Sequence, residues 1–184
     1  MDIKATPIDG LFHIKTVQRS DPRGSFARLW CEDTFKSADI DFTPVQSNIS
    51  RNTKRGTLRG MHFQTAPHGE AKLVQVMRGA IFDVGVDLRP GPNQGKWYGA
   101  ELSAENGEML FLPEGIAHGF VTLCDDADVL YLMGANYAPD HAEGVLWSDP
   151  EVGINWPIKP SLVSDKDQAL PKLADWLERG IAVV

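Results

Sequence analysis

The sequence predicts a mainly β protein, a sandwich or barrel of the jelly-roll kind with a few short helices. Hydrophobicity alternates with period two through many short segments, and turn signals separate those segments at short intervals. Only two stretches carry a helical pattern, and both are short. Many strands with few helices favour two packed β layers over an α/β arrangement.

The elements follow in order. Residues 55 to 74, "RGTLRGMHFQTAPHGEAKLV", read as strand, turn, strand, and the second strand runs on into "KLVQVM". Next comes "AIFDVGVDL", in which Phe82, Val84, Val86 and Leu88 share one face while Asp83, Gly85 and Asp87 share the other. Strands are expected again in "GKWYGAEL", "EMLFLP", "GFVTL" and "DVLYLM", divided by "RPGPNQG", "SAENG", "PEG" and "CDDAD", with "NYAPD" closing the last. Helices are expected in "CEDTFKSAD" and "DQALPKLADWLERG". No repeat or linker interrupts the 184 residues, so one domain spans 1–184, with 157–184 as an appendage packed against the barrel.

Composition narrows the class. The chain is 42% hydrophobic and 23% charged, and no apolar run reaches the roughly 18 residues a membrane helix needs, so a soluble protein is expected. The start, "MDIKATPIDGLFHIKTV", lacks the form of a signal peptide, which makes the cytoplasm the expected location. Cys31 and Cys124 have no framework or metal-ligand spacing and read as reduced thiols. A net charge of −7 argues against nucleic acid as a partner yet leaves room for a small anion. Arg19, Arg23, Arg28, Arg51, Arg55 and Arg59 crowd the first third, either as scattered surface charge or as a local positive pocket.

The chemistry concentrates in residues 55–74, where Arg59, His62, Gln64, His68, Glu70 and Lys72 sit among core-like neighbours. They decorate an edge hairpin or line a cavity. Alternation from Leu58 puts Gly60, His62 and Gln64 on one face and Arg59, Met61 and Phe63 on the other. For Arg59 and His62 to serve one pocket, the strand must bend or bulge near Gly60. A histidine in a partly closed barrel suits general-base work if a carboxylate fixes its tautomer. On pattern alone Tyr131 fits a core position as well as a catalytic one, and Asp167 in "SDKDQALPKL" suits a helix start with Asp165 or Asp167 as the cap. His13 and His141 match no motif and are expected on the surface.

Two motifs, "RGMHFQ" and "PEGIAHGF" with Pro113, Gly115 and His118, resemble the two halves of a cupin. Gln64 stands where metal-binding cupins have a second histidine, and His68 and Gly69 stand where their glutamate falls, so no metal is expected. At this pocket's edge His68 and Glu70 then read as turn residues.

Over nearly its whole length the chain resembles the dTDP-4-dehydrorhamnose 3,5-epimerase family. The matching stretches, collinear, are "DPRGSF", "QSNIS", "GTLRGMHFQ", "EAKLVQVMRGAIFDVGVDLR", "LPEGIAHGF", "VLYLMGANYAPDHAEGVLWSDPEVGINWP" and "SDKD". The resemblance implies a cofactor-independent epimerase, acting through an enolate on a nucleotide-linked 4-keto-6-deoxyhexose. It implies that His62 is the base, Asp167 its orienting carboxylate, Tyr131 the opposing acid and Lys72 the cation near the enolate oxygen. For the nucleotide diphosphate it implies Arg23 and Arg59, with Gln46 and Asn48 adding amide contacts, Phe26 stacking on the base, and His118 and Tyr137 touching the sugar. It implies a homodimer in which the N-terminal segment, about residues 1–45, crosses to the partner, so that Arg23 and Phe26 serve the neighbouring site. Where the family commonly has a glutamate two residues after that phenylalanine, this chain has Arg28, which leaves the identity of the base open. Inversion at C3 alone, inversion at C5 alone, and a sugar-nucleotide-binding cupin without catalysis stand as alternatives.

Overall fold

The computed structural model describes residues 1–184 and contains two facing antiparallel sheets. The first runs β1 (Asp2–Ala5), β2 (Phe12–Lys15), β10 (Glu108–Leu112), β7 (Lys72–Arg78), β12 (Ala127–Met133), β5 (Gln46–Asn52). The second runs β13 (Ala142–Gly144), β6 (Thr57–Gln64), β11 (Ile116–Thr122), β8 (Ala80–Asp87), β9 (Trp97–Ser103), and a short β14 (Leu162–Val163) joins β6 in parallel. A separate hairpin, β3 (Gln18–Asp21) with β4 (Gly24–Ala27), stands away from both. The expected β architecture is present.

Period-two alternation places the chemistry. Inward-facing residues on β7 and β12 are apolar at one end and polar at the other, and on β11 His118 stands between the core residues Ile116 and Phe120. On β7 the series is Lys72, Val74, Val76; on β12 it is Ala127, Val129, Tyr131; on β11 it is His118 then Phe120. Val74, Val76, Val129 and Phe120 join Leu102, Leu110 and Leu112 in a core between the sheets. The opposite end stays open and polar.

Both outer faces are covered. Phe82, Val84, Val86 and Leu88 do share a face, as their alternation requires, and it is the outer one, packed against Val152, Leu173, Trp176 and Val183 of the C-terminal segment. Trp176 sets its ring edge to Phe63 at 5.0 Å. The other sheet is covered by residues 30–42, with Phe35 and Phe42 against Phe111. The first expected helix forms as α1 (Glu32–Lys36). The second forms as two pieces, α2 (Asp165–Gln168) and α3 (Leu173–Leu177), because Pro171 between them lacks the amide a continuous helix would need.

The bulge anticipated in β6 is there. His118 pairs with His62 and Phe120 with Arg59, so two steps along β11 span three along β6. Arg59 and His62 thereby turn to the same side. Gly60 sits in the extra step at φ 134°, and its backbone lies so near β11 that a Cβ there would meet Gly119 Cα at 2.5 Å. We expect Gly60→Ala to cost about 2–4 kcal/mol through strain and overpacking, read as a fall in the urea midpoint. An unchanged midpoint would show that β11 yields easily.

Candidate active site

The open end of the sandwich is a cavity of about 630 Å³. Its walls come from both sheets: β6 and β11 carry Arg59, His62, Gln64 and His118, while β5, β7 and β12 carry Gln46, Asn48, Lys72 and Tyr131. Tyr137 stands at its mouth, 62% exposed. Of the residues expected at the site, the fold brings together His62, Tyr131, Asp167, Lys72, Gln46, Asn48, Arg59, His118 and Tyr137. Arg23 and Phe26 are elsewhere, on the β3–β4 hairpin. Phe26 is 72% exposed, and Arg23 is bound to Asp21, whose carboxyl it lowers.

His62 and Asp167 lie 105 residues apart in sequence and 2.7 Å apart in space, imidazole Nε2 to carboxylate Oδ1. The pairing is built locally. β14 lays the chain beside the start of β6, and Ser164 then caps α2, its hydroxyl accepting from the Asp167 amide at 3.1 Å. The cap is therefore Ser164, not Asp165 or Asp167, and this frees the Asp167 carboxylate to point at β6. There its second oxygen accepts from the Gly60 amide at 3.3 Å. Burial pushes the Asp167 carboxyl up, but the His62 bond and charge, the Gly60 amide and the Ser164 hydroxyl outweigh it and hold the group below its ordinary 3.8. The His62 ring stays 44% exposed, open to the cavity.

A second pair lies deeper. His118 Nε2 meets Asp83 Oδ1 at 2.7 Å with both side chains buried, and Asp83 Oδ2 has no partner. Burial drives the Asp83 carboxyl up against the pull of His118. The His118 ring stands edge-on to Tyr131 at 5.7 Å. Burial, with the nearby Asp83 charge, also pushes the Tyr131 phenol far above its usual range, against a smaller pull from Arg59. Tyr131 is thus a phenol that stays protonated in the cavity wall.

Lys72 is 4% exposed, 2.9 Å from Glu70 Oε1, and donates to the His62 carbonyl at 3.2 Å. Glu70, in the β6–β7 connection at the cavity's edge, is also the counter-charge of Lys72. His68 is in the turn. Arg59 donates its Nε to Asn52 at 2.8 Å, and its terminal nitrogens have no protein partner. Gln64 spends its amide on three backbone groups at 2.6–3.2 Å, which leaves neither end to act as a ligand. No three His, Cys, Asp or Glu side chains converge anywhere in the chain as metal ligands would.

Sequence reading missed Asp83, Ser164, Lys166 and Glu143 as part of or support for this site. Asp83 had one usable signal, a carboxylate in the middle of a strand whose other face is wholly apolar. His13 is partly exposed, as expected of a surface residue, and it bonds Tyr98 at 2.9 Å and Glu108 at 3.0 Å. His141, also partly exposed, bonds Thr65 at 3.1 Å.

A family model described as dTDP-4-dehydrorhamnose 3,5-epimerase matches residues 5–175. This chain belongs to that family. A dTDP-4-dehydrorhamnose 3,5-epimerase from Sinorhizobium fredii is 46% identical over 157 residues, which are 84% of this chain and 80% of the relative. A dTDP-4-dehydrorhamnose 3-epimerase from Streptomyces niveus is 39% identical over 183 residues, 98% of this chain and 88% of the relative. In space the chain superposes on the dTDP-4-dehydrorhamnose 3,5-epimerase of Bacillus anthracis, solved with TDP and PPi bound, with a TM-score of 0.90 and 39% identity over 93% of this chain and 98% of that one. For the epimerase family the expected cupin jelly roll is therefore the fold observed.

Because Asp167 ionises at lower pH in the fold than in the open chain, its stabilisation is fully present above pH 3.8 and is lost as pH falls through the lower folded value. Asp167→Asn is expected to cost about 1–3 kcal/mol near neutrality. In urea titrations across pH its gap from wild type should narrow below 3.8. A gap that stays constant into that range would contradict the assignment.

Proposed function

We propose that the protein is an isomerase that inverts C3 and C5 of dTDP-4-dehydro-6-deoxy-D-glucose, giving dTDP-4-dehydro-L-rhamnose without a cofactor. One observation carries the reading: the His62–Asp167 pair stands on the wall built by one sheet and the protonated Tyr131 on the wall built by the other.

The chemistry follows from that opposition. Hydrogens at C3 and C5 are acidified by the C4 carbonyl between them. With Nε2 held by Asp167, Nδ1 of His62 is the free base. It takes the proton, and the electron pair moves through the C–C bond onto the C4 oxygen as an enolate. Lys72 supplies a cation there, worth about 3–4 kcal/mol by analogy with oxyanion donors. As the enolate collapses, Tyr131 delivers its proton to the opposite face of the same carbon. Solvent then resets both groups. A phenol is protonated at neutral pH, so the donor is loaded, and Glu70 balances Lys72 while the cavity is empty of substrate.

Arg59, Gln46 and Asn48 at the rim fit a diphosphate and its nucleoside, a reading supported by the TDP bound in the Bacillus anthracis relative. His118 and Tyr137 fit the sugar. Arg23 and Phe26 serve a second copy's cavity in a homodimer. What supports this is a hairpin with almost no burial in its own chain, carrying an unsheltered Phe26 and Arg23. No helix is long and apolar enough to cross a membrane, and both cysteines are free, in keeping with a protein of the reducing cytoplasm. The Streptomyces niveus relative favours a second reading, inversion at C3 alone.

Incubation with the 4-keto sugar in D₂O, read by NMR, tests the reaction. Deuterium at both C3 and C5 is expected; label at one carbon selects the narrower reading, and none defeats both. His62→Ala should lose about 10²–10⁴-fold in exchange, while Tyr131→Phe keeps exchange and loses inversion. Near-normal turnover by His62→Ala would remove it as the base. Mixing His62→Ala with Arg23→Ala chains should restore activity in heterodimers, since one cavity then has both intact groups; no restoration would argue against a shared site.

A further inference from the structure

We infer that Gln64 is the positioning residue for Tyr137, gripping the main chain on both sides of that tyrosine and so setting where its ring meets the substrate at the cavity mouth. Gln64 ends β6 and is 2% exposed. Its Oε1 accepts from the Ala138 amide at 2.6 Å, and its Nε2 donates to the Asn136 carbonyl at 3.2 Å. Tyr137 is the residue between them. Nε2 also donates to the His68 carbonyl at 2.9 Å. Two carbonyls demand the amino end and one amide demands the oxygen, so a single orientation of the side chain satisfies all three.

The grip matters because of what it joins. His68 lies in the turn that leaves β6, on the second sheet; Asn136 to Ala138 lie in the loop that leaves β12, on the first. One buried amide ties two loops from facing sheets across the open end of the sandwich. The remaining anchors of the β12 loop sit toward its ends. Gly134 donates to the Ala71 carbonyl at 2.8 Å, and the His141 carbonyl accepts from the Thr65 amide at 3.0 Å. Between those anchors the Ala138 carbonyl accepts from the His141 amide at 3.0 Å in the short turn that follows, while the Asn136 carbonyl and the Ala138 amide, on either side of Tyr137, bond to Gln64 alone. At 62% exposure the Tyr137 ring has little packing of its own to hold it. Backbone placement is what restricts its reach. A shorter or apolar residue at 64 leaves the ring in the cavity mouth but no longer directs it.

The kinetic part of this inference rests on the epimerase reading, and the structural part does not. Both are tested on the full chain with Gln64→Leu, which removes every bond of the amide, and with Gln64→Glu, which keeps the acceptor for Ala138 and loses the donors. By amide hydrogen exchange, Gln64→Leu should deprotect Ala138 while β7 and β12 keep their protection. With the dTDP-linked 4-keto sugar, KM should rise about 10- to 100-fold with a much smaller change in kcat. In a Tyr137→Ala background the same substitution should add little, because the residue through which it acts is gone. If Gln64→Leu does not fold, Gln64→Glu carries the kinetic test in the same two backgrounds. Unchanged protection at Ala138, loss of protection throughout the barrel, or a full additive effect in Tyr137→Ala would each overturn the inference. A wild-type chain that turns over no 4-keto sugar would count against the epimerase reading, and the exchange measurement would still decide the grip.

Discussion

Between Arg59 and His62, β6 carries one residue more than the strand beside it, and the site depends on that surplus. In a regular strand an odd spacing sends the two side chains to opposite faces, one into the cavity and one into the layer beneath the C-terminal segment. The bulge returns both to the cavity. Two glycines on adjacent strands allow it: a Cβ on Gly60 would collide with Gly119, and one on Gly119 would meet Arg59's carbonyl at 2.8 Å. The Gly60 amide freed from regular pairing then bonds Asp167, so the irregularity that aims His62 into the cavity also holds the carboxylate paired with it.

A cavity lined with ionisable groups is costly unless each finds a partner, because burial penalises charge far more than a surface does. Here the partners come in pairs. Asp167 holds His62, Asp83 holds His118 and Glu70 holds Lys72. The Asp83 carboxyl retains one unpartnered oxygen in a fully buried position, the least satisfied polar atom of the site. Stability comes from elsewhere: the apolar end of the sandwich and the two covers outside it, where Trp176, Phe35 and Leu73 are almost wholly removed from water. This division lets one end of a small sandwich stay open and polar while the rest is packed.

Much of this was legible in the chain. Alternation and turn signals located β6 to β12 but not β1 to β5, β13 or β14, and Phe82, Val84, Val86 and Leu88 share a face as their spacing demands. The need for a bulge near Gly60 followed once the family resemblance assigned Arg59 and His62 to one pocket. Other features were hidden because the deciding partner is remote in sequence. Ser164 competes with Asp165 and Asp167 for the same cap, and nothing local says that the serine wins; β14 decides it by fixing where α2 begins. Glu70 is a residue of the β6–β7 connection, and its pairing with buried Lys72 shows only in the fold. His13 lacks any motif because its partners, Tyr98 and Glu108, come from two other strands.

By itself the sequence determined the β class, the likeness to an epimerase family and the set of side chains available for proton transfer. Each is a property of local pattern: hydrophobic period, turn residues, short motifs kept in order. Only the tertiary structure decided which of those side chains meet. His62 reaches Asp167 across 105 residues, Gln64 ties two loops instead of binding an ion, and Arg23 and Phe26 stay outside the cavity of their own chain. Those outcomes depend on strand register, on one bulge and on which loops face one another. Such distances are set by the packing of whole layers, and no stretch of chain contains both ends of them.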